Sequence, residues 1–234
     1  MSPDSIRHPL TRALLVLTFT TGVIDAASYL GLGNVFVANM TGNVVLLGFG
    51  IAGSGGLPVV APLVSLGAFL TGAVLGGRMA AGLAERTLHL SRSMLIEIGV
   101  VLVATAWALV VDVTPGRFSA DVVVALLAFA LGVRNATIRR VKVADLTTTV
   151  LTMTLTGLAA DSPLAGGDGS GSWRRGMAVV AMLVGAVAGA LLLKADLALV
   201  LALAAVLAIL IWVVFVPAAS AADRADAKPQ PAPR

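Results

Sequence analysis

The sequence contains no cysteine and only two histidines among its 234 residues. Without cysteine the chain cannot form disulfides, thiolate nucleophiles or Cys-ligated metal sites. His8 and His89 are far apart in the sequence and lie near basic residues, which does not favour a shared metal site. The chain also lacks the phosphate-binding, zinc-protease, nucleophile-elbow and dinucleotide-binding motifs. We therefore predict no enzyme, no cofactor and no metal.

Charged residues are scarce as well, at 12% of the chain against about 25% in a typical soluble domain. Hydrophobic residues make up 58% of the sequence, and several apolar runs approach the roughly 20 residues that cross a bilayer. The fold class predicted is therefore all-α, a polytopic membrane protein. A net charge of +4 could suggest nucleic acid, but Lys and Arg collect in the cytoplasmic loops of membrane proteins. The bilayer is the expected partner, and nucleic acid is not.

Three short motifs occur twice, in the same order and at nearly the same spacing. This indicates an internal duplication within one membrane domain, residues 12–216. Repeat one is predicted at about 12–112 and repeat two at about 119–216, between a polar segment, 1–11, and a disordered tail, 217–234. The matching segments are Val37–Val45 with Val143–Leu151, Gly22–Ala26 with Gly132–Ala136, and Thr71–Gly76 with Val184–Gly189.

The positive charges predict how many hydrophobic segments cross the membrane. Eight segments are visible, but if all eight crossed, half of the 16 Lys and Arg residues would lie outside. If residues 12–53 and 119–160 each cross only once in net, only Arg117 and Lys194 lie outside, which the positive-inside rule favours. This predicts about six net spans, two broken or re-entrant segments and cytoplasmic termini. Three crossings per repeat is an odd number, so the sequence predicts an inverted 3+3 repeat.

Polar residues inside these segments are the candidate functional residues. Ionisable groups cost about 2.5–3.5 kcal/mol on insertion, and irregular backbone at membrane depth must be buried in protein or line a cavity. Alternatively, Asn and Thr bond between helices or to their own helix, Arg134 snorkels to the interface, and Glu97 is buried or interfacial. The predicted substrate-binding residues are Asp25, Asn39, Thr41, Asn43, Arg134, Asn135, Asp145, Thr147, Thr148 and Thr149.

Small residues four apart predict close helix packing in each repeat. The pairs are Gly72 with Gly76 and Gly185 with Gly189.

The string Val35–Asn43, together with Arg134–Ala136 and Asp145–Thr149, resembles the YoaK family of bacterial inner-membrane proteins, a domain of unknown function. The resemblance covers roughly residues 12–216. It implies a multi-pass protein of about six spans in the bacterial cytoplasmic membrane. It implies no established substrate.

The residues favour a small transporter or channel with a polar site near the bilayer midplane, for a small polar solute or ion. The sign of the substrate stays open, because Asp25 and Asp145 suit a cation or proton whereas Arg134 suits an anion. A homodimer is expected if one chain has too few helices to enclose a complete transport pathway. The alternative is a non-transporting membrane scaffold or partner subunit, whose polar motifs only pack helices.

Overall fold

The computed structural model describes residues 8–81, 86–141 and 151–226, and every regular element in these ranges is helical. A 3₁₀ turn, Pro163–Ala165, precedes the seventh helix, and a π-helical turn, Ile211–Phe215, joins the last two. The α-helices are α1 (Pro9–Gly31), α2 (Met40–Ile51), α3 (Val60–Ala81), α4 (Arg86–Val110), α5 (Phe118–Val141), α6 (Leu151–Ala160), α7 (Ser172–Leu193), α8 (Leu197–Leu210) and α9 (Val216–Asp226).

Six of these helical segments are long and apolar enough to cross a membrane. At 20–25 residues each, they extend about 30–37 Å, which matches the hydrocarbon core of a bilayer. The short helix α2 has 12 residues, or about 18 Å, too little to cross. The described part of α6 has 10 residues and directly follows residues 142–150, which lie outside the described part. The predicted all-helical fold with about six spans is confirmed. The six are α1, α3, α4, α5, α7 and the continuous stretch Leu197–Ala221.

The first helix of each predicted repeat lies at the centre of the bundle. Of the most apolar 18 residues, 67% are buried in α1 and 61% in α5, against 17–39% in the other four spans. The peripheral spans expose large apolar side chains such as Leu70, Leu102 and Leu183. This distribution suits a bundle whose outer helices face lipid, where apolar side chains need no cover.

Two glycine-lined seams hold the central helices against their neighbours. A Cβ atom built on Gly72 of α3 would overlap the carbonyl oxygen of Phe129 on α5. In the same way, a Cβ atom on Gly185 of α7 would overlap the carbonyl oxygen of Phe19 on α1. Only glycine lets the two backbones approach so closely.

The next turn of each seam repeats the arrangement. A Cβ atom on Gly76 would lie 2.7 Å from the carbonyl oxygen of Val133, and one on Gly189 would lie 2.5 Å from that of Val23. Gly189 follows Gly76 by 113 residues and Val133 follows Val23 by 110. The seams α3–α5 and α7–α1 are therefore built from residues at the same spacings as the motifs that occur twice in the sequence.

The C-terminal end of the bundle corrects one expectation. Disorder was predicted from residue 217, but α9 continues to Asp226; residues 227–234 lie outside the described part. Pro217 cannot donate a backbone hydrogen bond and would crowd the preceding turn of a regular helix. The wider π-helical turn Ile211–Phe215 comes directly before it, and such turns commonly absorb irregularity within helices. The Ala-rich residues that follow have high helix propensity.

Candidate functional site

The chain reverses direction directly after α1. Gly33 and Asn34 both have positive φ, 103° and 57°, a conformation that glycine adopts freely and asparagine tolerates. The N–H of Leu32 donates to the carbonyl of Ser28 and that of Asn34 to the carbonyl of Tyr29, each at 3.0 Å. These bonds satisfy the end of α1 and direct the next residues back along the helix.

Asp25 holds the returning segment in place. Its Oδ1 accepts the backbone N–H groups of Val37 at 3.1 Å and Ala38 at 2.9 Å. Asp25 lies six residues before the end of α1, about 9 Å along its axis. The chain therefore passes Gly31, turns, and runs back without regular secondary structure to the level of Asp25 before α2 begins.

Asn39 and Asn43 fix the start of α2 in different ways. Asn39 is the N-cap, and its Oδ1 accepts the N–H of Gly42 at 3.1 Å, which satisfies one of the free donors of a helix start. Asn43 points back to Phe36, accepting its N–H at 2.9 Å and donating to its carbonyl at 2.6 Å. Ser65 of α3 donates to the same carbonyl at 2.7 Å and accepts from Asn43 at 3.0 Å. The turn and α2 are thereby tied to α3.

A cavity of about 570 Å³ lies where α1, the returning segment, α6 and α7 meet. Its polar lining comes from Asp25, Asn39 and Thr152, and its aromatic lining from Tyr29 and Phe36. The remaining described wall is aliphatic or glycine, and includes Leu30, Met182 and Val187. Because Asn39 begins α2 and Thr152 is the second residue of α6, the cavity lies beside the described starts of both short helices.

A second cavity of about 580 Å³ adjoins the first and shares four lining residues with it, Tyr29, Phe36, Asn39 and Thr152. Thr41 lines this second cavity. The rings of Tyr29 and Phe36 are stacked, with centroids 4.8 Å apart and planes 22° from parallel. Among the described lining residues of both cavities, Asp25 is the only one with a charged side chain.

The far end of α6 is fixed by an arginine of α7. Nη1 of Arg175 donates to the carbonyl of Gly157 at 2.7 Å and lies 2.8 Å from Oδ2 of Asp161. A cation that bonds the last carbonyls of a helix also complements the negative end of its dipole. Each short helix is therefore anchored to the long helix that follows it, α2 to α3 and α6 to α7.

A buried ion pair lies deeper in the bundle, between α4 and α5. Nη1 of Arg134 lies 3.4 Å from Oε1 of Glu97 and makes a long contact of 3.4 Å with the carbonyl oxygen of Leu17 on α1. Both side chains are fully buried, and Arg134 also interacts electrostatically with Asp25. Three ionised groups at this depth would carry a net charge of −1, since two carboxylates face one guanidinium.

The structure separates the predicted substrate-binding residues into groups. Asp25, Asn39 and Thr41 line the cavities, whereas Asn43 and Arg134 line neither and bond within the protein. Asn135 donates to the carbonyl of Leu131 at 3.0 Å, a bond within α5. The other four predicted residues, Asp145, Thr147, Thr148 and Thr149, lie outside the described residues.

Sequence reasoning missed the aromatic and α3 members of the site. Tyr29 and Phe36 flank the glycine turn, and an aromatic pair beside interrupting Gly and Asn residues was a usable signal. The sequence offered no signal that Ser65 would meet Asn43, because that contact depends on how α2 lies against α3. Thr152 was not among the predicted residues, yet it is the second residue of α6 and lines both cavities.

Comparison with known proteins agrees with this architecture. The chain is 32% identical over 151 residues to the UPF0700 transmembrane protein YoaK of Bacillus subtilis (strain 168), a match that covers 63% of the chain and 65% of that relative. The match thus spans about two thirds of that curated relative's length. No solved structure matches the chain.

A family profile, described as a protein of unknown function (DUF1275), matches residues 13–214, which include all six candidate spans except a few end residues. This multi-pass membrane protein therefore belongs to the DUF1275 family.

Proposed function

We propose that the protein is a transporter or channel for a small solute or ion, and that the cavity beside Asp25 and Asn39 is its binding site. One observation carries the proposal. The chain bends back after α1 so that Asn39 joins Asp25 of α1 and Thr152 of α6 around a cavity of about 570 Å³. Irregular backbone within a membrane bundle is expected where it lines a polar cavity, and binding sites of transporters are commonly formed by interrupted helices.

The glycine seams support a duplicated and inverted architecture. Equivalent residues join α3 to α5 and α7 to α1, as expected when the second half repeats the first about a pseudo-two-fold axis. Each half contributes three long helices and one short one. If the long helices cross and the short ones do not, the two halves have opposite orientations.

The orientation follows from the charges. With the N-terminus in the cytoplasm, Arg139 and Arg140 at the end of α5 and Arg174 and Arg175 at the start of α7 all lie on the cytoplasmic side. This is the side on which Lys and Arg collect. In this arrangement α2 enters and leaves the bilayer from the outer side of the bacterial cytoplasmic membrane, and α6 from the inner side.

The second candidate function is a membrane scaffold or partner subunit. Two sets of contacts favour it: the bonds of Asn43 to Phe36 and Ser65, and the Glu97–Arg134 pair. These polar groups bond to other parts of the bundle and hold its helices together. It accounts for the bonds of Asp25 to the returning segment, but not for the cavity that Asp25 and Asn39 line.

Solute flux separates the two functions. Proteoliposomes are shrunk by an osmotic step and the rate of reswelling is followed by light scattering, with potassium chloride, choline chloride, glycerol and urea tested separately. A protonophore is present so that charge does not accumulate. We expect faster reswelling than in protein-free vesicles for at least one solute.

The site assignment is tested by variants in the same assay. For the solute that speeds reswelling in the wild-type protein, Asp25→Asn and Asn39→Ala should each lower the rate of reswelling by about tenfold. This is the loss expected when a central polar contact is removed. Asp168→Asn is the matched control, because Asp168 accepts a backbone N–H from Ser170 at 2.8 Å on an exposed loop. If folded wild-type protein accelerates none of the four solutes, the scaffold function replaces the proposal.

A further inference from the structure

We infer that the cavity beside Asp25 binds a monovalent organic cation, such as a quaternary ammonium compound. This inference rests on the proposed function and names the chemical class of its substrate. It depends on three features of the cavity: its charge, the size of the space, and the aromatic pair on its wall.

The charge around the cavity favours a cation with a single charge. Asp25 is the one charged side chain among the described lining residues of both cavities. Arg134 offsets it only in part, because Arg134 lies 3.4 Å from Glu97 and the three groups together carry one net negative charge when ionised. An unpaired buried charge is costly. A solute with one positive charge would neutralise the net negative charge of these three groups.

The start of α2 contributes a smaller, opposite effect. A helix N-terminus carries about half a positive charge, which by itself would attract an anion. Here the cap is occupied, since Asn39 accepts the N–H of Gly42 and the N–H of Asn43 donates to the carbonyl of Asn39. A full carboxylate therefore outweighs a partly satisfied helix end.

The size and lining of the space favour an organic ion over a metal ion. An inorganic cation needs several oxygen ligands close around it. The cavity is about 570 Å³ and has four lining residues with polar side-chain atoms, Asp25, Asn39, Thr152 and Tyr29, on a mainly apolar wall. A cation with an apolar body would fill this wall and still reach the carboxylate, whose two backbone bonds both go to Oδ1.

The aromatic pair completes the recognition chemistry. Tyr29 and Phe36 line both cavities, and their rings are stacked on each other. Aromatic rings attract quaternary ammonium groups through their quadrupoles, and such groups are commonly recognised by aromatic side chains. A carboxylate beside aromatic rings is thus suited to a soft, weakly hydrated cation.

A fluorine NMR titration tests the inference, because Tyr29 is the only tyrosine in the chain. Incorporation of meta-fluorotyrosine into the full-length protein in detergent places one reporter on the cavity wall. The probes are choline, its uncharged carbon isostere with tert-butyl in place of trimethylammonium, and sodium chloride. Choline should give a saturable shift, and the isostere should bind about tenfold more weakly, as the loss of a close charge interaction implies.

Three variants define the site. Asp25→Asn keeps an acceptor for Val37 and Ala38 and should weaken choline binding by about tenfold or more. Phe36→Leu should weaken it by about threefold, the scale of one cation–π contact. Asp168→Asn, which removes an exposed loop carboxylate, should leave it unchanged. Thermal unfolding of each variant shows that the fold is intact.

The other outcomes decide against the inference, or against the transport function on which it rests. Equal shifts from choline and its isostere would show an apolar pocket without charge recognition, and an equal shift from sodium chloride would show an inorganic ion site. If choline gives no shift while glycerol or urea reswells the proteoliposomes, the substrate class is wrong and the transport function stands. If choline binds through Asp25 while no solute moves, the site is correct and transport is wrong.

Discussion

Adding one methyl group to the glycine seam should destabilise the bundle, and adding it elsewhere on the same helix should not. A Cβ atom at Gly72 would overlap the carbonyl oxygen of Phe129, whereas one at Gly77 would meet nothing within 4 Å. Both glycines lie on α3, so Gly72→Ala and Gly77→Ala make the same chemical change in the same helix.

The size of the effect follows from two opposing contributions. Overpacking of a close contact costs about 1–3 kcal/mol, and Ala is favoured over Gly in a helix by about 1 kcal/mol. We expect Gly72→Ala to lower the free energy of unfolding by up to about 2 kcal/mol and Gly77→Ala to leave it unchanged or raise it by up to about 1 kcal/mol. In a protein of this size, 1 kcal/mol corresponds to about 2–4 °C in Tm.

The equivalent seam extends the test. Gly185→Ala should cost about the same as Gly72→Ala, because its Cβ would meet the carbonyl oxygen of Phe19 in the same manner. Gly176→Ala is its control on α7, since nothing lies within 4 Å of that position. Tm is measured for all four variants in one detergent, by tryptophan fluorescence or near-ultraviolet circular dichroism. The packing argument fails if the seam variants and their controls have the same Tm.

Three further predictions concern the polar contacts. Asn43→Ala leaves the backbone of Phe36 with fewer partners and should cost about 1–3 kcal/mol, more than Ser65→Ala in denaturant titration; equal costs would contradict the bonding described. Glu97→Leu and Arg134→Met should each cost about 3–5 kcal/mol, but the double variant less than either alone; additive losses in a double-mutant cycle would exclude the pair. Arg175→Ala should change global stability by less than about 1 kcal/mol, since its ion pair is partly exposed, yet speed hydrogen exchange at the end of α6; unchanged exchange would show that Arg175 does not anchor that helix.

The number of membrane-spanning helices and the positions of the glycine seams could be predicted from the sequence. Length and apolar composition identify spans independently of tertiary structure. The charge distribution predicted that residues 12–53 and 119–160 each cross only once in net, and this stays a prediction. Gly72 and Gly185 were identifiable because close helix packing depends on residue size at a fixed spacing within one helix. The turn after α1 was also indicated, since glycines and asparagines interrupt that stretch.

The partners of the polar residues could not be derived in the same way. Arg134 was a candidate for the substrate site, but it contacts Glu97 on another helix, and such a pairing depends on the register between helices. Asn43 was predicted to line the site with Asn39, but the two side chains have different partners. Asn39 caps α2 at Gly42, whereas Asn43 bonds to Phe36 and Ser65. Asp145, Thr147, Thr148 and Thr149 were predicted to share the substrate site with Asn39, and this stays a prediction because those four residues lie outside the described part of the structure.

The orientation of the two short helices is the central claim, and cysteine labelling tests it most directly. The chain has no cysteine, so Ser54→Cys after α2 and Ser170→Cys after α6 each introduce a single reporter in an exposed turn. The variants are expressed in intact cells and probed with a maleimide that does not cross the membrane, before and after permeabilisation. The account predicts that the cysteine at 54 reacts from outside and the cysteine at 170 only after permeabilisation. If all eight helices crossed, both positions would lie on the same side, and identical labelling of the two would contradict the account.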